Sequence, residues 1–375
     1  MLTLASKNLI HDKVRLVVTL VGIVFALVLI LIQFGLFLSF MDTSANIVEH
    51  SKADLWISSP KIPHVNGGSP MAEAQRWKAL KVPGVERVDR FILAWVPWKL
   101  PSGAIEQVQV AGFLLDGSMG RPWNIVAGSV EALRGEDTVI VDELYKEKLG
   151  VTRLGQVVEM SGRRARVVGF THGIRSFTTS PYVFASFKNA LNYSPGMTEK
   201  DTVYFHVKVA PGHTPARVKQ SLQAMLPQFD IYTNDEMLSK TRNYWVFQTG
   251  AGVTTLMGAI LGLIVGIVVV AQTIYAATVD HIREFGTLKA MGASNMRIYE
   301  VILAQAAMSA VIGYAFAITI AYFVSQASQN GNAPIALPLE VAAGTLLLAV
   351  VMCAGASIIS IRKATTIDPA MVFRG

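Results

Sequence analysis

The chain has 375 residues, of which 52% are hydrophobic and only 16% are charged, and its mean hydropathy is +0.42. Soluble globular proteins carry about 25% charged residues, so this composition excludes an ordinary soluble protein and indicates a membrane protein. The net charge of +7 does not indicate nucleic-acid binding, because the cations are spread over a nearly balanced hydrophilic block and the ends of apolar segments.

Four uncharged runs predict four membrane-spanning helices. They cover residues 16–41, 243–279, 301–339 and 341–361, and a spanning helix needs roughly 20 apolar residues. The third run contains "SQNGNAPIALP", whose Gly, Asn and Pro residues predict a break. We therefore expect spanning helices at 16–41, 246–276, 299–325 and 339–361, with a short loop at 326–338.

The segment 1–15 is predicted to lie at the cytoplasmic face. It places Leu4, Leu9 and Ile10 among cations, which suits a helix in the inner membrane interface; a plain polar leader is the alternative. Lys and Arg in short loops mark the cytoplasmic side, and here they occur before the first helix, in the loop 277–298 and in the tail 362–375. These cations are Lys7, Lys13, Arg15, Arg283, Lys289, Arg297, Arg362, Lys363 and Arg374. Both termini are therefore predicted to be cytoplasmic.

The hydrophilic block 42–245 is predicted to be a folded domain outside the cytoplasm. Alternating apolar residues and turn signals indicate mixed strands and helices along it, ending in a strand, helix and strand at 202–233 that resemble a βαβ unit. We expect two subdomains, one formed by the chain ends and one inserted around 116–180. The fold class is thus an α-helical membrane protein with four transmembrane helices and a large mixed α/β periplasmic domain between the first two.

Motifs that would indicate catalysis are absent from the sequence. There is no Gly-Lys dipeptide and hence no P-loop, no G-x-S-x-G nucleophile motif and no histidine pair at the spacing of a zinc-binding helix. His172 beside Gly173 could be a base, but an ordinary surface histidine is the simpler interpretation. We expect a chain that is not an enzyme and that holds no metal or cofactor.

The second predicted helix carries three glycines four residues apart, Gly258, Gly262 and Gly266. Such small-residue ridges let two helix backbones approach closely. The partner is either another helix of this chain or the same helix of a second copy, and we expect a dimer contact. Tyr244 and Trp245 precede this helix and are predicted to anchor it at the membrane interface.

The cytoplasmic loop contains "REFGTLKAMGAS" at 283–294. As a helix, it would align Ile282, Phe285, Leu288 and Met291 on one strip. An apolar strip in a short cytosolic loop either lies on the membrane surface or docks into a partner's groove. The pattern alone leaves both alternatives open.

This loop resembles the R-E-x-G-x-L-x-A-x-G-A signature of the FtsX-like, MacB-type ABC permeases, also called type VII transporters. The chain plan, one helix, a large external domain and three helices, is similar too, as is the ending "RKATTIDPAMVFRG" at 362–375. Within the family, "GTLKAMG" and "VMCAGASIISIRKATTIDPAMVF" look closest to the DevC-type permeases of heterocyst glycolipid exporters.

The resemblance implies a permease of the bacterial inner membrane that pairs with a second copy and exports a substrate such as a glycolipid, a drug or a peptide. ATP and Mg would be bound by a separate cytosolic MacB- or DevA-like ATPase. A periplasmic membrane fusion protein and a TolC-like outer-membrane channel would complete the complex, and the permease itself would be surrounded by membrane lipid. The ATPase-coupling residues would be Ile282, Arg283, Glu284, Phe285, Gly286, Leu288, Lys289, Met291 and Gly292.

Two other functions occur among proteins with this plan. One is an FtsX-like transmitter that controls a periplasmic hydrolase without transport, and the other is a permease that releases lipoproteins. The length of the external block favours export over the first.

Overall fold

The computed structural model describes residues 13–178, 180–280, 287, 294–329, 331 and 333–365. Two compact units make up the chain, one formed by Phe40–Gly252 and the other by the residues before and after it. The described α-helices, numbered in chain order, are α1 Lys13–Glu49, α2 Gln75–Ala79, α3 Lys146–Leu149, α4 Phe187–Tyr193, α5 Pro215–Met225, α6 Asn234–Asn243, α7 Ala251–Asp280, α8 Asn295–Ser328 and α9 Leu339–Thr365.

Four of these helices, α1, α7, α8 and α9, are long and apolar enough to cross a membrane. The predicted fold class is therefore confirmed: four spanning helices with a mixed α/β domain between the first and the second. The helix ends differ from the sequence-based boundaries at several points. α1 continues to Glu49 rather than ending near residue 41, because polar residues in its last turns belong to the α/β domain, and its backbone breaks once at Ala45.

The core of the helical unit consists mainly of small and branched apolar side chains. Alanines at 306, 310, 317 and 349 are almost fully buried, and Ile23, Leu27 and Val270 pack with them. Small side chains allow the helices to approach closely. Hydrogen bonds hold the connection between α8 and α9: among them, Ser325 Oγ donates to the Ile335 carbonyl at 2.7 Å, and the Ala336 amide donates to the Gly35 carbonyl of α1 at 3.2 Å.

Ten of the described strands form one sheet, in the order β12-β1-β11-β3-β4-β9-β6-β8-β5, with β7 paired to both β3 and β8; β2 and β10 pair separately. The strands are β1 Leu55–Ser58, β2 Met71–Ala72, β3 Val85–Lys99, β4 Ile105–Phe113, β5 Ile125–Gly128, β6 Thr138–Asp142, β7 Val157–Met160, β8 Arg163–Thr171, β9 Tyr182–Ser186, β10 Asp201–Thr202, β11 Tyr204–Val209 and β12 Asp230–Thr233.

The sheet has two parts that meet on the long strand β3. In one part β1 lies antiparallel between β11 and β12. The strand-helix-strand unit predicted at 202–233 is therefore a split βαβ unit: its two strands, β11 and β12, are separated by β1, and its helix, α5, packs on the sheet. In the other part β3, β4, β9, β6, β8 and β7 pair in a closed ring. Closing a sheet removes its exposed edges.

Residues 116–180 contribute β5 to β8; β6, β7 and β8 lie in the ring of strands, and β5 pairs with β8. The structure does not separate 116–180 as a subdomain, because its strands pair with β3 and β9 from outside the segment and share one core with them. The α/β domain is therefore a single compact unit.

Candidate functional site

The predicted ATPase-coupling contact lies outside the described residues. The described helices bracket it, since α7 ends at Asp280 and α8 begins at Asn295. The coupling role therefore stays a prediction for the nine residues concerned, which are Ile282, Arg283, Glu284, Phe285, Gly286, Leu288, Lys289, Met291 and Gly292.

The three glycines of the second spanning helix face α1 of the same chain. A Cβ atom placed on Gly266 would lie 2.7 Å from the Cβ of Ala26, and one on Gly262 would lie 3.1 Å from the Cγ of Leu29. One on Gly258 would come within 2.8 Å of the side-chain oxygen of Gln33. The structure therefore contains the intrachain alternative: α1 packs against the glycine ridge that was predicted to form a dimer contact.

A second set of contacts joins the two chain segments through which the α/β domain connects to the spanning helices. Arg242, at the end of α6, donates from Nε to the main-chain carbonyl of Met41 in α1 at 3.2 Å. Its Nη2 lies 3.1 Å from a carboxylate oxygen of Glu49 and 4.0 Å from one of Asp42. Arg242 thereby fixes the last turns of α1 to α6. We call the region formed by the last turns of α1, from Met41 to Glu49, and by the end of α6 at Arg242 the junction.

The chain forms a π-helical turn at Tyr244–Gln248 between α6 and α7. π-turns inside helices occur frequently at functional sites. The ring of Trp245 in this turn lies 4.2 Å from that of Phe177, and the Phe177 ring lies 5.3 Å from that of Phe40 in α1. Phe177, in the segment between β8 and β9, thus contacts both α1 and the π-helical turn before α7.

Tyr244 and Trp245, predicted as interface anchors, pack on His64 with ring centroids 4.3 Å and 4.7 Å away. Burial lowers the pKa of His64 from its ordinary value, because the neutral ring is easier to remove from water than the charged one. This cluster is therefore an apolar, uncharged part of the junction at neutral pH.

Polar contacts continue from the junction into the ring of strands. Asn46 of α1 donates from Nδ2 to the main-chain carbonyl of Arg175 at 2.5 Å. The neighbouring hydroxyls of Ser176 and Thr178 each lie 3.2 Å from Nε2 of Gln109 in β4. Buried polar groups of this kind are costly unless paired, so the network specifies one arrangement of α1, the 174–178 segment and β4.

The junction consists of hydrogen bonds, ion pairs and aromatic contacts between the last turns of α1, the end of α6 and the 174–178 segment. In the part of the chain that the structure describes, no group of three or more His, Cys, Asp and Glu side chains could hold a metal ion. Sequence reasoning missed Arg242, Phe177 and Gln109, because each has an ordinary local context. The α6 start was detectable, since Thr233 and Glu236 form a reciprocal capping box with the required spacing.

Two family models match the chain. A model described as "MacB-like periplasmic core domain" matches residues 16–225, more than half of the chain, and one described as "FtsX-like permease C-terminal" matches residues 240–369. The chain belongs to the FtsX-like, MacB-type family of ABC transporter permeases. The α/β domain of this permease is accordingly a MacB-like periplasmic core domain, and the protein is a multi-pass membrane protein.

Individual relatives are distant. The permease is 25% identical over 211 residues to a probable export ATP-binding/permease protein MacB from Pseudomonas entomophila, covering 53% of this chain and 31% of the relative. It thus spans about a third of that protein. It is 21% identical to an ABC transporter permease of Mycobacterium tuberculosis, with the full length of both covered. The crystal structure of the periplasmic region of MacB from Actinobacillus actinomycetemcomitans covers 53% of this chain and 96% of its own, with 15% identity and a TM-score of 0.40.

Proposed function

We propose that this permease is the non-catalytic membrane subunit of an ABC exporter and that it converts ATP hydrolysis by a separate ATPase into movement of its periplasmic domain. The observation that supports this proposal is that family models match both parts of the chain, as a periplasmic core domain and as a permease C-terminal region. The sequence carries no P-loop, so ATP and Mg would be bound by the partner.

In the proposed cycle, the ATPase docks on the loop segment 282–292 on the cytoplasmic side. Arg283, Glu284 and Lys289 would make its polar contacts, and Phe285, Leu288 and Met291 would form its apolar side, with Gly286 and Gly292 allowing close approach. ATPase closure would shift α7, and with it α1, because the glycine contacts leave little space between the two helices. The junction would receive that shift at Arg242 and Phe177.

The finer assignments follow the same proposal. The substrate would be an amphiphile such as a glycolipid, or a drug or peptide, handled outside the cytoplasm, with both termini cytoplasmic and the permease paired as a homodimer in a bacterial inner membrane. A membrane fusion protein and a TolC-like channel would carry the substrate onward. The DevC-type glycolipid exporters are the subgroup that we propose as the nearest in function.

The coupling loop provides the test. Phe285→Asp and Gly292→Trp should each abolish co-purification of the cognate ATPase and its stimulation by the permease, while membrane insertion is unchanged. Thr287→Asp is the matched control, since it adds the same charge within the loop at a position outside the apolar strip. Normal ATPase pairing by both test variants would refute the coupling assignment.

The partners that co-purify with the wild-type complex distinguish the kinds of function. An adaptor with an outer-membrane channel supports export. A periplasmic hydrolase would instead indicate an FtsX-like transmitter, and a lipoprotein chaperone would indicate lipoprotein release.

A further inference from the structure

A short segment without helix or strand, residues 334–338, leads from α8 into α9, and we call it the strap. Its sequence, "PIALP", begins and ends with proline. Proline fixes φ at about −65° and has no main-chain N–H group, and the residue before a proline favours an extended backbone. The strap is therefore restricted before it makes any contact. It has three amides, on Ile335, Ala336 and Leu337, and the first two are hydrogen-bonded.

The strap is bonded to the last turn of α8 through Ile335. The Ser325 hydroxyl donates to the Ile335 carbonyl at 2.7 Å, and the Ile335 amide donates to the Ser328 hydroxyl at 2.9 Å. Both main-chain groups of Ile335 are thus paired with side chains of α8. Its own side chain is only 7% exposed, so the strap is held on α8 in one position.

The strap contacts α1 at Gly35. The Ala336 amide donates to the Gly35 main-chain carbonyl at 3.2 Å, which is possible because a carbonyl oxygen has two lone pairs. A Cβ atom on Gly35 would lie 2.5 Å from the Ala336 carbonyl oxygen and 2.7 Å from Cγ2 of Ile335. The oxygen belongs to the main chain, so no side-chain rotation could relieve the first clash. The strap therefore fits on α1 at this point because residue 35 is glycine.

The strap also leads directly into the first turn of α9. The Pro338 carbonyl accepts from the amides of Val341 and Ala342, each at 3.1 Å. The Tyr314 hydroxyl of α8 donates to the Ala342 carbonyl at 2.8 Å. The strap, α8 and α9 thus form one hydrogen-bonded group, and the contact at Gly35 joins α1 to it.

We propose that the strap makes α1 and the α8–α9 pair move as one body during the transport cycle, with Gly35 as the positioning residue. This role rests on the proposed function, in which ATPase closure shifts α7 and α1. A close-packed contact transmits a displacement because it contains little free space. The α8–α9 pair then follows α1 and does not slide past it. Gly35 acts through the strap, and its part in the cycle is to let the strap and α1 meet.

Amide hydrogen exchange measures the strap directly in the full-length permease in lipid nanodiscs. We expect Ile335 and Ala336 to exchange slowly, because both amides are hydrogen-bonded. Gly35→Ala should speed this exchange by at least about tenfold, since the added methyl group displaces the strap. Gly344→Ala is the matched control. It makes the same change within the spanning helix α9, with the same gain in helix propensity, but a Cβ atom there would meet no other atom within 4 Å.

A second variant tests the strap without altering α1. Ser325→Ala removes the hydroxyl that donates to the Ile335 carbonyl, and it should speed exchange of the strap amides by about threefold to tenfold. Thr319→Val is its control, because the Thr319 hydroxyl bonds the Ala315 carbonyl within α8. We expect this control to leave the exchange at the wild-type rate.

The movement is tested by adding the cognate ATPase with a non-hydrolysable ATP analogue. The strap amides should stay as protected as they are without nucleotide, because α1, α8 and α9 shift together. Gly35→Ala and Ser325→Ala should still capture the ATPase, but their stimulation of ATP hydrolysis should fall by about twofold to thirtyfold. Gly344→Ala and Thr319→Val should stimulate it as the wild type does.

Three results would overturn the proposal. The first is an equal exchange rate in the test variants and their controls. The second is loss of strap protection when the nucleotide binds, which would mean that the strap opens and α1 moves separately. The third is normal ATPase stimulation by both test variants despite faster exchange, which would make the contact only structural. The proposed function fails separately, if the wild-type permease neither captures nor stimulates an ATPase; exchange in the permease alone does not depend on that result.

Discussion

Nε of Arg242 donates a hydrogen bond to the main-chain carbonyl of Met41 at 3.2 Å. This bond joins residues about two hundred positions apart, one in the last part of α1 and one at the end of α6, just before the turn that leads into α7. The carbonyl accepts from a charged donor, and such bonds are stronger than neutral ones. Arg242 therefore links the two chain segments that connect the periplasmic domain to the spanning helices, the end of α1 and the end of α6.

We expect Arg242→Ala to lower the free energy of unfolding of the periplasmic domain by about 1–2 kcal/mol, because it removes a charge-assisted hydrogen bond in a largely covered position. For a domain of this size the corresponding fall in Tm is roughly 2–8 °C. A thermal-shift measurement on the purified permease reports it. The same variant should reduce stimulation of the partner ATPase, if the junction receives the motion of the helices.

The control for Arg242 is Arg134→Ala, which removes an ion pair with Asp116 whose two side chains are mostly exposed. Exposed pairs contribute little, so this variant should leave both Tm and ATPase stimulation near the wild-type values. An equal response of the two variants would show that Arg242 acts only through its charge and not through the Met41 carbonyl.

The glycine contacts between α1 and α7 give a second prediction. Gly266→Leu should separate the two helices, because even a Cβ atom at this position would lie 2.7 Å from that of Ala26. Overpacking of this kind costs about 1–3 kcal/mol. We expect a lower Tm and weaker ATPase stimulation, with the membrane topology unchanged.

Gly355 is the matched control for that change. It is also a glycine within a spanning helix, α9, but a Cβ atom there would meet no other atom within 4 Å. Gly355→Leu should be close to neutral for the isolated permease. Comparable losses in both variants would mean that helix propensity or insertion, rather than the contact with α1, determines the effect.

The sequence predicted the fold class because its strongest signals are physical and local: uncharged runs long enough to span a membrane and alternating strands between them. It also located the glycine ridge, but not its partner, since spacing specifies a close contact without saying which helix fills it. Arg242 and Gln109 were not predictable, because their partners lie far away in sequence and only strand register and helix ends bring them together. α1 extended beyond its predicted end because polar residues continue a helix when another domain pairs with them.

Gln109 gives a third prediction. Gln109→Leu would remove the acceptor of the Asn66 amide and the donor to the hydroxyls of Ser176 and Thr178, which keep the hydrogen bond between themselves. The lost hydrogen bonds and the unpaired amide should cost about 1–3 kcal/mol, so Tm should fall by several degrees. Gln107→Leu, two residues away on β4 but exposed, is the control and should have little effect on Tm. A smaller loss for Gln109→Leu than for Gln107→Leu would refute the importance of the network.

His206 is fully buried on β11, between the rings of Trp56 at 4.1 Å and Phe91 at 4.3 Å. No described protein group hydrogen-bonds to either ring nitrogen. Asp89 lies opposite His206 in strand register, and its Oδ1 is paired with Nε of Arg87 at 2.6 Å. Burial therefore lowers the pKa of His206 to about 3, since the charged ring cannot be solvated there.

This shift makes the stability of the periplasmic domain fall with acid. Below the ordinary histidine pKa of about 6.5, the unfolded chain binds a proton at His206 and the folded chain does not, so stability is lost as pH falls from about 6.5 towards 3, at about 1.4 kcal/mol per pH unit. His206→Phe removes this dependence and the two unpaired nitrogens. We expect its stability advantage over the wild type to grow by about 2 kcal/mol between pH 7.5 and pH 5, read as Tm at both pH values. His213→Phe, at an exposed position, should show no such growth; a pH-independent difference for His206→Phe would mean that His206 gains a proton acceptor or water in the folded protein.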